Sequence, residues 1–230
     1  MIETLNAMGI TSQMITSTVI TLILCVLAIV AGRNLSMIPS SKLQTALEIG
    51  IEKLSDFFQD VMGEYAGRKY FPLVATLFIY ILVCNYTGLL PMSGHLPGLA
   101  APTSSINYPA GLAIIVFVAV QYIGVKETHG IKYYKHLFQP VALLFPLMLL
   151  EEFVRPLSLT LRLYGNIFGE EAVANSFFQL IPIGVPVVMQ ALSVLMGAIQ
   201  ALVFSLLAGI YIAEAAEHGA EEHEKLKAQI

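Results

Sequence analysis

Six ionisable residues stand in strongly apolar surroundings between residues 151 and 171: Glu151, Glu152, Arg155, Arg162, Glu170 and Glu171. In lipid they would have no water to dissolve them. A charge at the centre of a membrane helix costs about 2.5–3.5 kcal/mol on insertion scales. Something must compensate them: a water-filled path, an internal partner, or a charge on another protein. At 100° per residue, Glu151, Arg155, Ser158, Arg162, Asn166 and Glu170 share one arc of roughly 120°, and Glu171 points to another face. A guanidinium keeps its proton in proteins, so Arg162 would be a fixed cation. Such a cation favours the ionised form of an acid that approaches it, and repels a hydrated proton or sodium ion passing straight through. Glu170 and Glu171 lie on one side of this barrier, Glu151 and Glu152 on the other. That arrangement is the chemistry of ion transport.

Plainer readings stand beside this one. Arg155 lies near an end of its segment and could snorkel, or pair with Glu151 or Glu152. Asn166 and Gln200 could serve as interhelical hydrogen-bonding groups. Glu214 and Glu217 read as solvated at the inner boundary. Arg162 is far from both ends of its segment and fits a purely structural role least. On the last apolar segment Ser193, Gly197 and Gln200 share a face, and Gly197, Ala198 and Ala201 would let another helix come close.

The elements that must position these groups follow from composition and patterning. The 230 residues are 57% hydrophobic and only 12% charged, about half the charge of an ordinary soluble domain. An all-α membrane protein in one domain (1–230) is expected. A net charge of −4 gives no reason to expect nucleic acid as a partner. No signal peptide is expected, since the first thirteen residues lack lysine and arginine. Cys25 and Cys84 fall in apolar runs and read as small buried hydrophobes, with neither a disulfide framework nor a metal site implied.

Residues 14–32 have the length of a spanning helix, capped by Thr11 or Ser12. Residues 41–65 instead carry Leu43, Leu47, Ile51, Leu54, Phe58, Val61 and Tyr65 at helical spacing, with Glu48, Glu52, Asp56 and Asp60 on another face, which predicts an amphipathic surface helix. Further spans are expected at 70–90 and 109–125, separated by a Gly-, Pro- and Ser-rich loop and followed by an interfacial connector, 127–139. The runs 141–180 and 187–216 would be roughly 60 Å and 45 Å long as helices, against a hydrocarbon core of about 30 Å. They must lean or bend, so the last two of five spanning helices should form a long, steeply tilted hairpin, with 217–230 a soluble tail. With five crossings every basic residue except Arg155 and Arg162 falls on one side, which makes that side cytoplasmic and the N-terminus external.

The sequence from Arg155 through Pro156, Leu157, Ser158, Leu159, Thr160, Leu161, Arg162, Leu163, Tyr164 and Gly165 to Asn166 resembles the signature of subunit a of the F-type ATP synthase. Gly197 to Phe204 with Gln200, followed by Tyr211 to Glu214, resembles its second signature, and Pro102 to Asn107 its outer-loop motif. The likeness covers nearly the whole chain and is nearest the bacterial and plastid type. It implies a stator that wraps its hairpin around a rotating ring of c subunits, with peripheral-stalk b subunits as further partners and no cofactor. Two aqueous half-channels would meet near an essential arginine, here Arg162. Asn166 and Gln200 match polar residues near that arginine, Glu171 the outer half-channel acid with Glu170 as helper, and Asn107 the entry path. Glu151 or Glu152 matches acids of the inner path. The sequence departs from many relatives at Ser193, where His or Glu is common, and at Ser105, where some carry Asp. The resemblance implies a bacterial plasma membrane or a thylakoid membrane, and either proton or sodium as coupling ion.

Two other classes compete. A self-contained channel or secondary transporter would be expected to show inverted repeats or a broken helix pair, and none is evident. An intramembrane enzyme would need a catalytic pair within a span, whereas His95, His129, His136, His218 and His223 all fall in predicted loops or the tail.

Overall fold

The computed structural model describes residues 11–33, 42–89, 101–127, 145–180 and 185–227. These form six α-helices and one 3-10 turn: α1 Ser12–Arg33, α2 Lys42–Met62, α3 Glu64–Thr87, the 3-10 turn Pro102–Ser104, α4 Asn107–Glu127, α5 Phe145–Leu180 and α6 Val185–Lys227. The chain is an all-α membrane protein. Among the described residues four helices are long and apolar enough to cross a bilayer: α1, α3, α4 and the Val188–Glu217 part of α6. The expected count of five includes α5, whose charged residues exclude it on composition. Most of the outer loop and the connector, and the hairpin turn at 181–184, lie outside the described residues.

The surface helix ends earlier than its apolar spacing predicts. Gly63 adopts φ +78°, a left-handed conformation that a side chain disfavours, and separates α2 from α3. Tyr65 therefore belongs to α3. The break lets α3 fold back against α2. A Cβ on Gly67 would sit 2.7 Å from the Gln59 Cα, so only glycine permits this approach. Along α2 the apolar row splits in two. Phe58 and Met62 are buried, whereas Leu47 and Ile51 are exposed.

The core sits where α3, α4, α5 and α6 meet. Val74, Leu77 and Ile81 of α3, Val116 and Val120 of α4, Leu159 and Leu163 of α5, and Phe204, Ala208 and Ile212 of α6 form one buried cluster. Small residues on α6 bring α2 and α3 close: a Cβ on Gly209 would lie 2.9 Å from the Met62 Sδ of α2 and 3.6 Å from the Val74 Cγ1 of α3. In lipid the hydrophobic effect does not drive helices together, so close packing and interhelical hydrogen bonds must do so. At one end Lys69 and Glu127 make a 2.6 Å ion pair joining α3 to α4, with the Tyr65 and Tyr70 hydroxyls donating to the same carboxylate. At the other end the Tyr80 and Tyr108 hydroxyls meet, the Thr21 hydroxyl donates to the Tyr80 oxygen, and Asn85 Nδ2 donates to the Gly197 carbonyl at 3.0 Å. Of the cysteines, Cys84 is buried as expected, while Cys25 faces outward on α1.

Candidate ion-translocation site

α5 presents three faces. Leu159, Leu163 and Ile167 recur at helical spacing and are buried against the other helices. Leu150, Phe153, Val154, Leu157, Leu161 and Phe168 are exposed. The polar arc lies between the two, so its residues stand at the edge of the chain rather than within it. Pro156 interrupts the helical ladder. Thr160 Oγ1 donates to the Pro156 carbonyl at 2.8 Å.

The two arginines of this arc differ in every contact. Arg155 is held on three sides. Its Nη2 donates to Glu151 Oε1 at 2.9 Å, its Nη1 lies 2.9 Å from Glu214 Oε2 on α6, and its guanidinium stacks on the Tyr211 ring at 4.8 Å. Glu214, read from the sequence as solvated, is thus an interhelical partner. Glu152 does not pair with Arg155. Its Oε2 accepts from Gln121 Nε2 of α4 at 2.8 Å. Glu152, Arg155, Tyr211, Phe117 and Pro156 line a small, partly open cavity between α4, α5 and α6.

Arg162, seven residues further along, is exposed. Among the described residues it has no ion-pair or hydrogen-bond partner. Its neighbours Leu161, Phe168 and Leu157 are exposed too. Of the compensations open to this cation, a partner within the described part of its own chain is not what the structure shows. The guanidinium is at the surface of the chain because Leu159 and Leu163 take the inward-facing positions of that turn.

The remaining residues of the site divide by environment. Asn166 and Glu170 are brought together, Asn166 Nδ2 donating to Glu170 Oε1 at 2.9 Å along α5. Gln200 is 7% exposed on the inward face of α6, and its Nε2 has no partner. Ser193 is half-buried two turns before it, and Asn107 is exposed at the start of α4. Glu171 lies on α5, with its side chain outside the described set. Gln121, the lone amide in an otherwise apolar stretch of α4, is a group the sequence reading passes over. Asn85 is buried with an unpartnered Oδ1, and Thr103, within the Pro102 to Asn107 motif, is buried with an unpartnered hydroxyl.

The chain matches the family model described as ATP synthase A chain over residues 14–213. It is 45% identical over 201 residues to the ATP synthase subunit a of Trichlorobacter lovleyi, covering 86% of this chain and 83% of that protein. To the subunit a of Moorella thermoacetica it is 40% identical over 209 residues, covering 91% and 92%. To ATP synthase subunit a 1 of Syntrophotalea carbinolica it is 41% identical over 220 residues, covering 94% and 90%. A match of this extent, carried on a multi-pass helical chain with an arginine-bearing apolar helix, places the protein in the ATP synthase A chain family.

Proposed function

We propose that this chain is the ion-translocating stator subunit of the membrane sector of an F-type ATP synthase. It provides two half-channels and an essential arginine, Arg162, that couple ion flow to rotation of a c-subunit ring. The carrying observation is a permanent cation exposed on an apolar helix without a partner among the described residues. In a bilayer that position calls for water or for an acid on another molecule. A ring carboxylate has the required chemistry. Neutral, it can travel through lipid; ionised, it is drawn to the guanidinium. Each charge that crosses delivers about 2.3 kcal/mol per 100 mV of membrane potential.

In this reading α5 is the fifth crossing, and α5 with α6 forms the tilted hairpin against the ring. α5 as a straight 36-residue helix is about 54 Å long, well beyond the hydrocarbon thickness. Asn166 and Gln200 stand near the arginine, Glu171, Glu170, Asn107 and Ser193 serve the outer path, and Glu151 and Glu152 the inner one. The N-terminus is outside, the C-terminus cytoplasmic, and the b subunits of the peripheral stalk hold the chain still. Bacterial relatives favour a bacterial plasma membrane over a thylakoid one, and the ring's own site sets proton or sodium as the ion.

The test is ATP synthesis in energised vesicles carrying the whole complex. Arg162→Ala should abolish synthesis and ATP-driven pumping while the complex still assembles. Arg162→Lys should fail as well, because a point charge on a flexible stem does not replace a planar fork. Normal synthesis by the Ala variant would end this assignment. Ion flux through the chain reconstituted alone would favour the channel reading instead.

A further inference from the structure

Two arginines on one arc of one helix pose an electrostatic difficulty. They lie about 10 Å apart along the axis. A mobile acid drawn to Arg162 would also feel Arg155 unless that charge were cancelled. In the structure Arg155 is surrounded by acid. Glu151 lies one turn before it on α5, Glu214 reaches it from α6, and Glu152 stands at the same cavity with its carboxylate on Gln121. The Tyr211 ring covers one face of the guanidinium. The Arg155 side chain keeps only 19% of its exposure, while Glu151 and Glu214 remain 61% and 44% exposed. The cation is largely withdrawn and its anions are still reached by water.

We propose that Glu214 is a positioning residue for ion translocation: from the facing helix it shares with Glu151 the neutralisation of Arg155, and so leaves Arg162 as the single uncompensated cation that a ring carboxylate meets. The inference rests on the stator assignment above. It separates two meanings of the Arg155–Glu214 pair. A mechanical tie matters because it joins α5 to α6, and losing either partner is equally harmful. A charge-cancelling partner matters only while Arg155 is present. Without Glu214 the largely withdrawn cation keeps only the exposed Glu151 as an ion-pair partner and is less fully cancelled, whereas exposed carboxylates without a partner are solvated at little cost.

The experiment is a double-mutant cycle in the intact ATP synthase, in sealed vesicles, reading ATP-driven ion pumping and ATP synthesis per assembled complex. Glu214→Gln should slow both by about threefold, since Glu151 still offsets part of the Arg155 charge. Arg155→Met should stay close to the parent rate. The double variant, Glu214→Gln with Arg155→Met, should recover to the Arg155→Met rate, although the tie is still broken. Equal losses in all three variants would show a tie alone and overturn the proposal, as would an unchanged rate in Glu214→Gln. Arg162→Ala in the same vesicles keeps the two claims apart. If it abolishes coupling while the cycle is flat, only the role of Glu214 fails. If it leaves coupling intact, the stator assignment itself fails.

Discussion

Arg155 and Arg162 occupy the same helix, the same arc and a similar apolar background, yet the chain treats them in opposite ways. The first is bonded to two carboxylates and stacked on an aromatic ring. The second is exposed and lacks any partner among the described residues. On the proposed role of Arg162, burying an arginine and using one require different surroundings. A structural cation is neutralised within its own chain. A working cation would be left incomplete, so that the missing charge can come and go, and the cost of leaving it so would be met in the assembled complex.

The largest expected effect comes from making Arg162 resemble Arg155. Ser158→Glu would place a carboxylate four residues before Arg162, the spacing of Glu151 to Arg155, where a helical ion pair readily forms. ATP-driven pumping should fall by more than about tenfold if a resident partner removes even 1.4 kcal/mol of attraction. Ser158→Gln should leave most of it. Equal pumping in the two would break the comparison, because Arg162 would then tolerate a partner of its own.

A smaller effect sharpens the contrast between the faces of α5. Leu163 is fully buried beside Arg162, whereas Leu161 is exposed on its other side. Leu163→Ala should lower the thermal stability of the detergent-purified subunit by about 2–5 kcal/mol, and Leu161→Ala by less than about 0.5 kcal/mol. In the assembled complex the same Leu161→Ala should weaken retention of the ring. An intermediate loss follows for Gly67→Ala, since its Cβ would meet the Gln59 backbone, and cores resist such overpacking by about 1–3 kcal/mol. The smallest effect belongs to Lys69→Gln. This ion pair with Glu127 is partly exposed, with Lys69 41% accessible, so stability should change by no more than about 1 kcal/mol.

Much of the helical plan is legible in the chain because apolar run length and hydrocarbon thickness are directly comparable. The first and fourth helices extend one or two residues beyond the expected segments at each end, while the third begins at Glu64 and ends at Thr87 against an expected 70–90. The break at Gly63 was not legible, since the apolar spacing continues through it and only the close approach of Gln59 to Gly67 demands it. The site follows the same division. Helical phase alone assembles the polar arc of α5, and it brings Asn166 to Glu170. It cannot tell which arginine will find a partner on a facing helix. Glu214 is 59 residues from Arg155 and Gln121 is 31 from Glu152, and nothing local marks either pair. Nor could the outward position of Arg162 be read. A wheel gives relative angles, and the absolute orientation is set by which face packs, here the face of Leu159, Leu163 and Ile167.

The central claim is that the face bearing Arg162 is covered by a ring of acidic, apolar subunits. Site-directed photo-cross-linking in the intact membrane complex tests it most directly. A photoreactive residue at Leu161, exposed beside Arg162, should capture a small proteolipid subunit in high yield, and one at buried Leu163 should react only within its own chain. Capture of lipid alone at position 161, with the complex fully assembled, would contradict the account.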